Sequence, residues 1–147
     1  MSVIIRPRVS SDDAFILDVS GEAFREYSLG AQRGILHMAA AGRTLVAADG
    51  DRLLGFAIVE FSSDRSAHLT AISVAERERG RGIGKKLLAA VERLARAQGT
   101  KTLELATADS NLAALELFLG YGFRKKERLR EYYARGQDAV RLTKEIE

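Results

Sequence analysis

"RERGRGIGKKLL", residues 77–88, places three glycines and several cations at the point where a helical pattern begins. Glycines alternate with bulkier residues from Gly80 to Gly84, and the preceding segment "AHLTAISV", residues 67–74, is typical of a strand. The first turn of a helix leaves backbone N–H groups unpaired, and glycine lets a phosphate approach them closely. The stretch therefore predicts a site for phosphate or pyrophosphate. The alternative is a glycine turn without a ligand.

Two common phosphate-binding motifs do not fit this stretch. The nucleotide P-loop requires a glycine five positions before its Gly-Lys pair and a Ser or Thr after it. Arg79 and Lys86 occupy those positions around Gly84-Lys85. The dinucleotide fingerprint requires a third glycine where Lys85 stands. Neither nucleotide motif therefore accounts for the glycines.

Length and composition indicate a single globular domain over residues 1–147. Hydrophobic residues make up 46% of the chain and charged residues 29%, and no apolar run approaches the length of a membrane span. The N-terminus lacks the features of a signal peptide, and the chain has no cysteine. The simplest expectation is a cytoplasmic protein without a membrane partner. His37 and His68 are the only imidazoles, so we expect no metal site.

Cations concentrate in two segments, although the net charge is only +3. Residues 76–101 contain eight Lys or Arg against three Glu, and residues 124–130 contain five against one. Such segments attract phosphate esters, nucleic acid or acidic partners, and they are also common on solvated faces. The aromatic residues are not interleaved with these cations as stacking on nucleic-acid bases requires. We therefore expect no nucleic-acid partner.

The patterns of apolar and turn residues predict an α/β (α+β) domain with a mixed sheet. Ser10 or Ser11 is suited to cap the first helix, and Gly120 or Gly122 to end the last one. Strands are predicted over residues 3–6, 44–49, 53–61, 67–74 and 102–107, with a closing pair around 123–133 and 139–146, and helices over 10–24, 29–42, 82–99 and 109–123.

The run from Arg79 to Gly84 resembles the acetyl-CoA signature of the GCN5-related N-acetyltransferases, which is Arg or Gln, two residues, Gly, one residue, then Gly or Ala. A second block, "NLAALELFLGYGF", residues 111–123, is similar to the Asn-x-x-Ala-x-x-Leu-Tyr-x-x-x-Gly-Phe helix of that family. The order of elements also fits along the chain. The resemblance implies a GNAT-like mixed, mostly antiparallel twisted sheet of about six to seven strands flanked by about four helices, with acetyl-CoA as donor and no metal.

The resemblance also implies which residues bind the donor. The end of the strand before the signature would bond the pantetheine arm, the signature would hold the pyrophosphate, and the residue that opens the second block would reach either part. The family often has a tyrosine in the second block that protonates the leaving thiolate, and Phe118 stands there. The implied cofactor-binding residues are Ile72, Ser73, Val74, Arg79, Gly80, Arg81, Gly82, Ile83, Gly84, Lys85, Asn111 and Phe118.

Candidates for proton transfer follow from the same resemblance. Glu104 occupies a strand position similar to the base of some family members, although it lies two residues farther from Asn111 than theirs does. Glu60 and Glu76 are rival bases, each of which could equally be a surface carboxylate, and His68 is either structural or a further base. Tyr121 lies one turn after Phe118 and either replaces the missing acid or packs in the core.

The C-terminal segment resembles the ribosomal-protein alanine N-acetyltransferases, because a Tyr-Tyr pair follows Gly-Phe at a similar spacing. Tyr132 and Tyr133 would then line the acceptor cleft, or they are an aromatic pair that ends a strand. The implied activity is acetyl transfer to a primary amine, preferably a peptide or protein N-terminal α-amine. The alternatives are a small amine, such as an amino acid, polyamine or aminoglycoside, and a catalytically weak acetyl-CoA-binding module. The chain would act as a monomer or homodimer.

Overall fold

A computed structural model of the chain describes residues 2–24, 35, 38, 39 and 42–146. The helix predicted over residues 29–42 lies mostly outside these described residues, and so does His37. The described part otherwise covers every segment that the sequence patterns single out.

In the part of the chain that the structure describes, seven strands form one sheet in the order β1-β2-β3-β4-β5-β7-β6. All neighbours pair antiparallel except β4 and β5, which are parallel. This arrangement confirms the predicted mixed, mostly antiparallel sheet, and three α-helices lie within the described residues. The strands are β1 Ile4–Pro7, β2 Arg43–Asp49, β3 Arg52–Phe61, β4 Ser66–Val74, β5 Thr102–Ala108, β6 Arg124–Leu129 and β7 Ala139–Glu145; the helices are α1 Asp13–Phe24, α2 Ile83–Ala97 and α3 Leu112–Tyr121, with 3-10 turns at Ser10–Asp12 and Glu76–Glu78.

The sheet is covered by helices on both faces. Leu87, Leu88 and Val91 of α2 belong to a buried cluster that also includes residues of α3 and the central strands. Ile16 and Val19 of α1 belong to a second buried cluster with other residues of those strands. Because both of its faces are covered, β3 is a nearly continuous apolar run rather than an alternating one.

Strands β4 and β5 separate after a short paired region. Their register contains only Ser66 opposite Thr102, Ala67 opposite Leu103, and His68 opposite Glu104. Just beyond this region β4 contains a bulge at Thr70, because Val59 pairs with Leu69 whereas Ile58 pairs with Ala71. We call the point where the two strands separate, from His68 and Glu104 onward, the fork.

Two local predictions from the sequence are wrong. Val9, not Ser10 or Ser11, is the N-cap of the first 3-10 turn, because the carboxylate of Asp12 turns back and accepts a hydrogen bond from the Val9 N–H. The closing strand pair is also shorter than predicted. β6 ends at Leu129, so the segment that contains Tyr132 lies in the connection to β7 and does not end a strand.

The buried carboxylate of Asp12 ties the first strand to the first helical turn. It accepts hydrogen bonds of 2.8 and 2.9 Å from the two terminal nitrogens of Arg6. These bonds from Arg6 hold the pKa of Asp12 below its ordinary value. Since the unfolded chain then binds a proton more readily than the folded one, Asp12 adds stability at neutral pH that is lost as the pH falls through its folded-state pKa.

Asp12→Asn is expected to lower the free energy of unfolding by about 1–3 kcal/mol at pH 7, because a buried charge-assisted pair is removed. The difference from wild type should be smaller at about pH 3, below the ordinary Asp pKa of about 3.9, because the unfolded chain takes up a proton there more readily than the folded protein does. Denaturant melts at the two pH values measure this effect. Asp51→Asn, in the exposed β2–β3 turn, is the matched control and should change stability by less than about 0.5 kcal/mol. An equal loss for Asp12→Asn at both pH values would contradict the role of its charge.

Candidate active site

The glycine turn leaves open space in front of α2. Gly80 and Gly82 have φ of 80° and 78°, and an added Cβ at either position would meet nothing within 4 Å. Gly82 is the N-cap of α2, where no side chain caps the helix and no acidic residue lies in its first turn. The hydrogen bond from the Lys86 N–H to the Gly82 carbonyl is the first of the helix. The N–H groups of the preceding turn therefore have no acceptor within the helix.

Gly84 has a different role from the two glycines before it. An added Cβ there would lie 3.1 Å from the Leu117 side chain on α3. The absence of a side chain at Gly84 lets α2 and α3 approach closely. The third glycine of the quoted stretch therefore serves helix packing at the mouth of the site.

The cations of the stretch face different partners. Arg79 donates a hydrogen bond of 3.2 Å from its Nε to the carbonyl of Val74 at the end of β4. Arg81 lies 3.3 Å from a carboxylate oxygen of Glu78. Lys85 is exposed and forms no ion pair with a described residue. Of the three cations that the sequence assigned to an anion, two are thus used to shape the turn.

Glu78 organises this turn, and the sequence reasoning missed it. Only 2% of the residue is exposed. Its carboxylate lies 3.1 Å from Arg52 on β3 and also pairs with Arg77 and Arg81. The sequence contains one pattern that could have indicated this role. Glu78 is a single acid among arginines at positions 77, 79 and 81, and such an acid can serve as their shared counter-ion. Glu76, a rival base from the sequence, is exposed in the same 3-10 turn.

Backbone groups of β4 face the fork. The Ala75 N–H donates to the Leu54 carbonyl on β3, and every second residue of a strand points its backbone groups to the same side. Those of Ile72 and Val74 therefore point away from β3, toward β5, and Ser73 points toward β3. Beside them in the bulge, the Thr70 hydroxyl is buried and has no hydrogen-bond partner among the described residues.

Asn111 opens α3 on the far side of the fork. Its side-chain oxygen accepts a hydrogen bond of 3.2 Å from the Ala114 N–H, which makes Asn111 the N-cap of the helix. The sequence assigned this residue to the cofactor. The capping bond uses the side-chain oxygen and holds the amide nitrogen, with its two donors, near the β5–α3 junction.

Phe118 and Tyr121 lie in the contact between α3 and the sheet. Phe118 is buried and packs edge-on against Phe123, with ring centroids 5.7 Å apart. Tyr121 packs beside Phe123, and the Lys144 ammonium lies 5.5 Å from its ring centre. Burial and the neighbouring Glu92 carboxylate raise the pKa of Tyr121. This environment gives Tyr121 a packing role at the C-terminal end of α3 and makes it a poor substitute for the missing acid.

Glu104 and His68 share one face of the sheet at the fork. Nδ1 of His68 lies 3.8 Å from Glu104 Oε1, and about a third of the Glu104 side chain is exposed. Arg141 of β7 lies 3.6 Å from the second oxygen of Glu104. Glu60 is the β3 partner of His68 in the sheet register. Three of the candidate bases, Glu60, His68 and Glu104, thus form one row across neighbouring strands, whereas Glu76 lies apart in the 3-10 turn.

Tyr132 and Tyr133 lie in the β6–β7 connection, with their rings edge-on and 5.1 Å apart. Arg128 holds this connection to the β5–α3 loop. It bonds Asp138 at 2.8 Å and Asp109 at 2.6 Å. Asp138 also accepts a hydrogen bond from the Glu131 N–H, and this bond and Arg128 lower its pKa. A salt-bridge cluster therefore joins the loop of the tyrosine pair to the loop that contains Asn111.

The model of the acetyltransferase (GNAT) family matches residues 12–123, which include the glycine turn, the fork and helices α2 and α3. The chain belongs to this family. It is also 34% identical to the N-alpha-acetyltransferase of Sulfurisphaera tokodaii over 76 residues, 51% of this chain and 46% of the relative. The match therefore spans about half the length of that curated relative.

Solved structures of other acetyltransferases share this fold. Ard1 from Thermoplasma volcanium superposes with a TM-score of 0.90 at 23% identity, over 100% of this chain and 99% of that one. A Bacillus subtilis acetyltransferase in complex with CoA gives 0.85 at 20%, over 99% and 100%. The ribosomal-protein-S18-alanine N-acetyltransferase of Escherichia coli gives 0.82 at 20%, over 99% and 94%. At these identities the likeness shows a common fold.

Other features of this GNAT member concern its surface. Within the described ranges, no helix is long and apolar enough to span a membrane, and no three metal-ligating side chains form a cluster. The basic segment 124–130 forms the exposed edge strand β6, where Glu127 bonds Arg141 and Arg128 bonds two aspartates. Part of that basic segment therefore serves internal ion pairs.

Glu78→Gln is expected to lower the free energy of unfolding by about 1–3 kcal/mol, because it removes the buried negative charge that pairs with three guanidinium groups. Glu76→Gln, two positions away and exposed, is the control and should stay within about 0.5 kcal/mol of wild type. Denaturant melts of both variants measure the difference. Equal stability of the two variants would contradict the organising role of Glu78.

Proposed function

We propose that this GNAT member transfers the acetyl group of acetyl-CoA to a primary amine, preferably the N-terminal α-amine of a peptide or protein. The observation that carries the proposal is the fork: beyond His68 the β4 backbone has no strand partner on β5, and it leads directly into an open glycine turn and an uncapped helix N-terminus. An extended ligand matches this order of groups if its amide-containing arm lies along β4 and its pyrophosphate lies at the glycine turn and the N-terminus of α2.

The described residues fit coenzyme A. The N–H groups from Arg79 to Lys85, with the Lys85 ammonium beside them, would hold the pyrophosphate at the positive end of the helix dipole. The strand end at Ile72 and Val74 would bond the pantetheine amides as a neighbouring strand does. Ser73 would support this edge from the β3 side. The open space at Gly80 and Gly82 leaves room for the phosphates.

Two groups near the fork support placement of the thioester there. The orphaned Thr70 hydroxyl is a buried polar group that gains from a ligand partner. The amide nitrogen of Asn111 would reach the pantetheine arm from the opposite side. Ile83, Gly84 and Phe118 would form the packed floor between the two helices and contact the donor through backbone or apolar surface.

The acceptor side rests on the tyrosine pair. Tyr132 is exposed in a connection that salt bridges fix against the β5–α3 loop. We propose that Tyr132 and Tyr133 shape a cleft for a peptide N-terminus beside the fork. The names of two relatives, an N-alpha-acetyltransferase and a ribosomal-protein alanine N-acetyltransferase, support an α-amine acceptor.

Attack on the thioester needs a neutral amine. An α-amine has an ordinary pKa of about 8 and a lysine side chain about 10.4, so the α-amine requires roughly 3 kcal/mol less for deprotonation. Glu104, at the fork, is the carboxylate proposed to assist this deprotonation. With Phe118 in place of the family's tyrosine, the leaving thiolate is protonated by water, which is feasible because a thiol has an ordinary pKa of about 8.5.

Two other functions would use the same donor site. A small-amine acetyltransferase would modify free amino acids or polyamines and ignore peptides, and a non-catalytic module would bind acetyl-CoA without turnover. The lack of a phenolic hydroxyl at Phe118 favours the non-catalytic module, and the tyrosine pair favours a peptide acceptor. Under the proposal the protein works in the cytoplasm as a monomer or homodimer.

Saturating acetyl-CoA is expected to stabilise the protein by about 2.7 kcal/mol at 100 times its dissociation constant, which raises Tm by several degrees. Gly82→Trp should abolish the shift, because its indole fills the open turn. Gly99→Trp is a matched control, since Gly99 also has a positive φ of 79° and nothing within 4 Å of an added Cβ, at the opposite end of α2. Thermal melts with and without ligand measure this. An equal ligand-induced shift in both folded variants would contradict the proposed donor site.

Arg128→Ala is expected to raise KM for peptide acceptors about tenfold with little change in the affinity for acetyl-CoA, because the tyrosine loop loses its salt bridges. Arg135→Ala, exposed in the same connection, is the control. Peptides with free and with blocked N-termini, assayed by mass spectrometry, test the acceptor class. Acetylation of blocked peptides on lysine, or of free amino acids only, would replace the α-amine proposal with another acceptor.

A further inference from the structure

We propose that His68 receives the proton of the attacking amine and that Glu104 orients and stabilises the imidazolium that forms. This inference rests on the proposed acetyl transfer and deepens it, since it names the route of the proton. His68 then becomes the group that faces the amine, and Glu104 acts through it.

The geometry at the fork places both groups on the last paired residues of β4 and β5. Nδ1 of His68 faces Glu104 Oε1 at 3.8 Å, a distance that forms an ion pair once the imidazole is protonated. The two side chains are 40% and 35% exposed, so both are accessible to solvent. With Nδ1 toward the carboxylate, Nε2 is the nitrogen directed away from it and available to an acceptor amine.

The charges around the imidazole come from every neighbouring strand. Glu60 is opposite on β3, and Glu104 is opposite on β5. Arg141 of β7 lies 3.6 Å from Glu104 and 2.7 Å from Glu127 of β6. Helix α1 packs against β3 and β4 and brings Asp13, which is paired with Arg8, and Asp18. Glu60 and Glu104 therefore lie on either side of His68 in the sheet, and the Arg141 guanidinium pairs with Glu104 and Glu127.

A carboxylate alone is a weak base for this step. Glu has an ordinary pKa of about 4.3, far below that of an α-amine, whereas imidazole exchanges protons close to neutral pH. Arg141 lies 3.6 Å from the second oxygen of Glu104, so this carboxylate already has a cationic partner. An imidazole held by a carboxylate is the arrangement that keeps one nitrogen basic and compensates the charge after proton uptake.

The step balances without another reactant. The acceptor arrives as an ammonium ion and loses one proton to Nε2 of His68, which passes it to solvent. The neutral nitrogen attacks the thioester carbonyl, the C–N bond forms, and the C–S bond breaks with its electron pair on sulfur. As the intermediate collapses, the second proton of the nitrogen passes through solvent water to the thiolate, which leaves as the neutral thiol.

The test compares His68→Gln and Glu104→Gln with Glu116→Gln, an exposed control on α3. For His68→Gln we expect kcat to fall by about 100-fold or more with the acetyl-CoA affinity unchanged. The acid limb of the kcat/KM–pH profile should disappear in His68→Gln. In Glu104→Gln it should move to lower pH, because the imidazolium loses its neighbouring negative charge.

An NMR titration gives a readout that does not need turnover. The chain has two histidines, so the spectrum of His68→Gln assigns the His68 imidazole signal. Its titration midpoint should move to lower pH in Glu104→Gln and stay unchanged in Glu116→Gln. This result would support the pair even before an acceptor is identified.

The outcomes separate the two proposals. Wild-type kcat and an unchanged pH profile in His68→Gln would overturn the role of His68 and leave acetyl transfer intact. A His68 titration midpoint that is the same in wild type and in Glu104→Gln would overturn the pairing of His68 with Glu104. Wild-type protein that binds acetyl-CoA but acetylates neither peptides nor small amines would overturn the proposed function, and with it the proton route.

Discussion

The unequal pairing of β4 is the constraint on which the rest of the structure depends. β4 pairs with β3 almost to its end, but with β5 over three residue pairs only. An unpaired backbone edge within a sheet is costly unless a ligand or solvent satisfies it. β5 can leave β4 because its other edge pairs with β7 from Thr102 to Ala108. The fold thereby leaves the β5-facing backbone edge of β4 without a strand partner in the middle of the sheet.

Ion pairs fix the loops on both sides of this cleft. Glu78 gathers guanidinium groups beneath the glycine turn, and Arg128 joins two aspartates beneath the tyrosine loop. In both clusters one charged residue serves several partners that lie apart in the sequence. Loops that bind ligands must be positioned by a rigid scaffold, and these clusters connect them to it. Cations that look available for an anion are therefore partly structural.

Close packing of α2 and α3 explains how the family's site differs in this chain. Gly84 lets Leu117 approach, and Phe118 fills the space beneath it against Phe123. A phenyl ring in that position adds packing but supplies no proton. Tyr121 faces Glu92 and Lys144 and is committed to the same contact. The titratable pair of His68 and Glu104 lies apart from this contact, at the fork, with side chains that are 40% and 35% exposed.

Much of the fold follows from local pattern alone. The apolar spacing of α2, the apolar run of β3 and the glycines at positive φ all have short-range causes that the sequence displays. The sequence also predicted the glycine turn and the helix that begins after it. It did not indicate the burial of Glu78, the Asp12 bond that displaces a serine cap, or the end of β6 at Leu129. Only strand register brought His68 within 3.8 Å of Glu104, 36 positions away, because a parallel pair is set by the whole sheet and not by either segment.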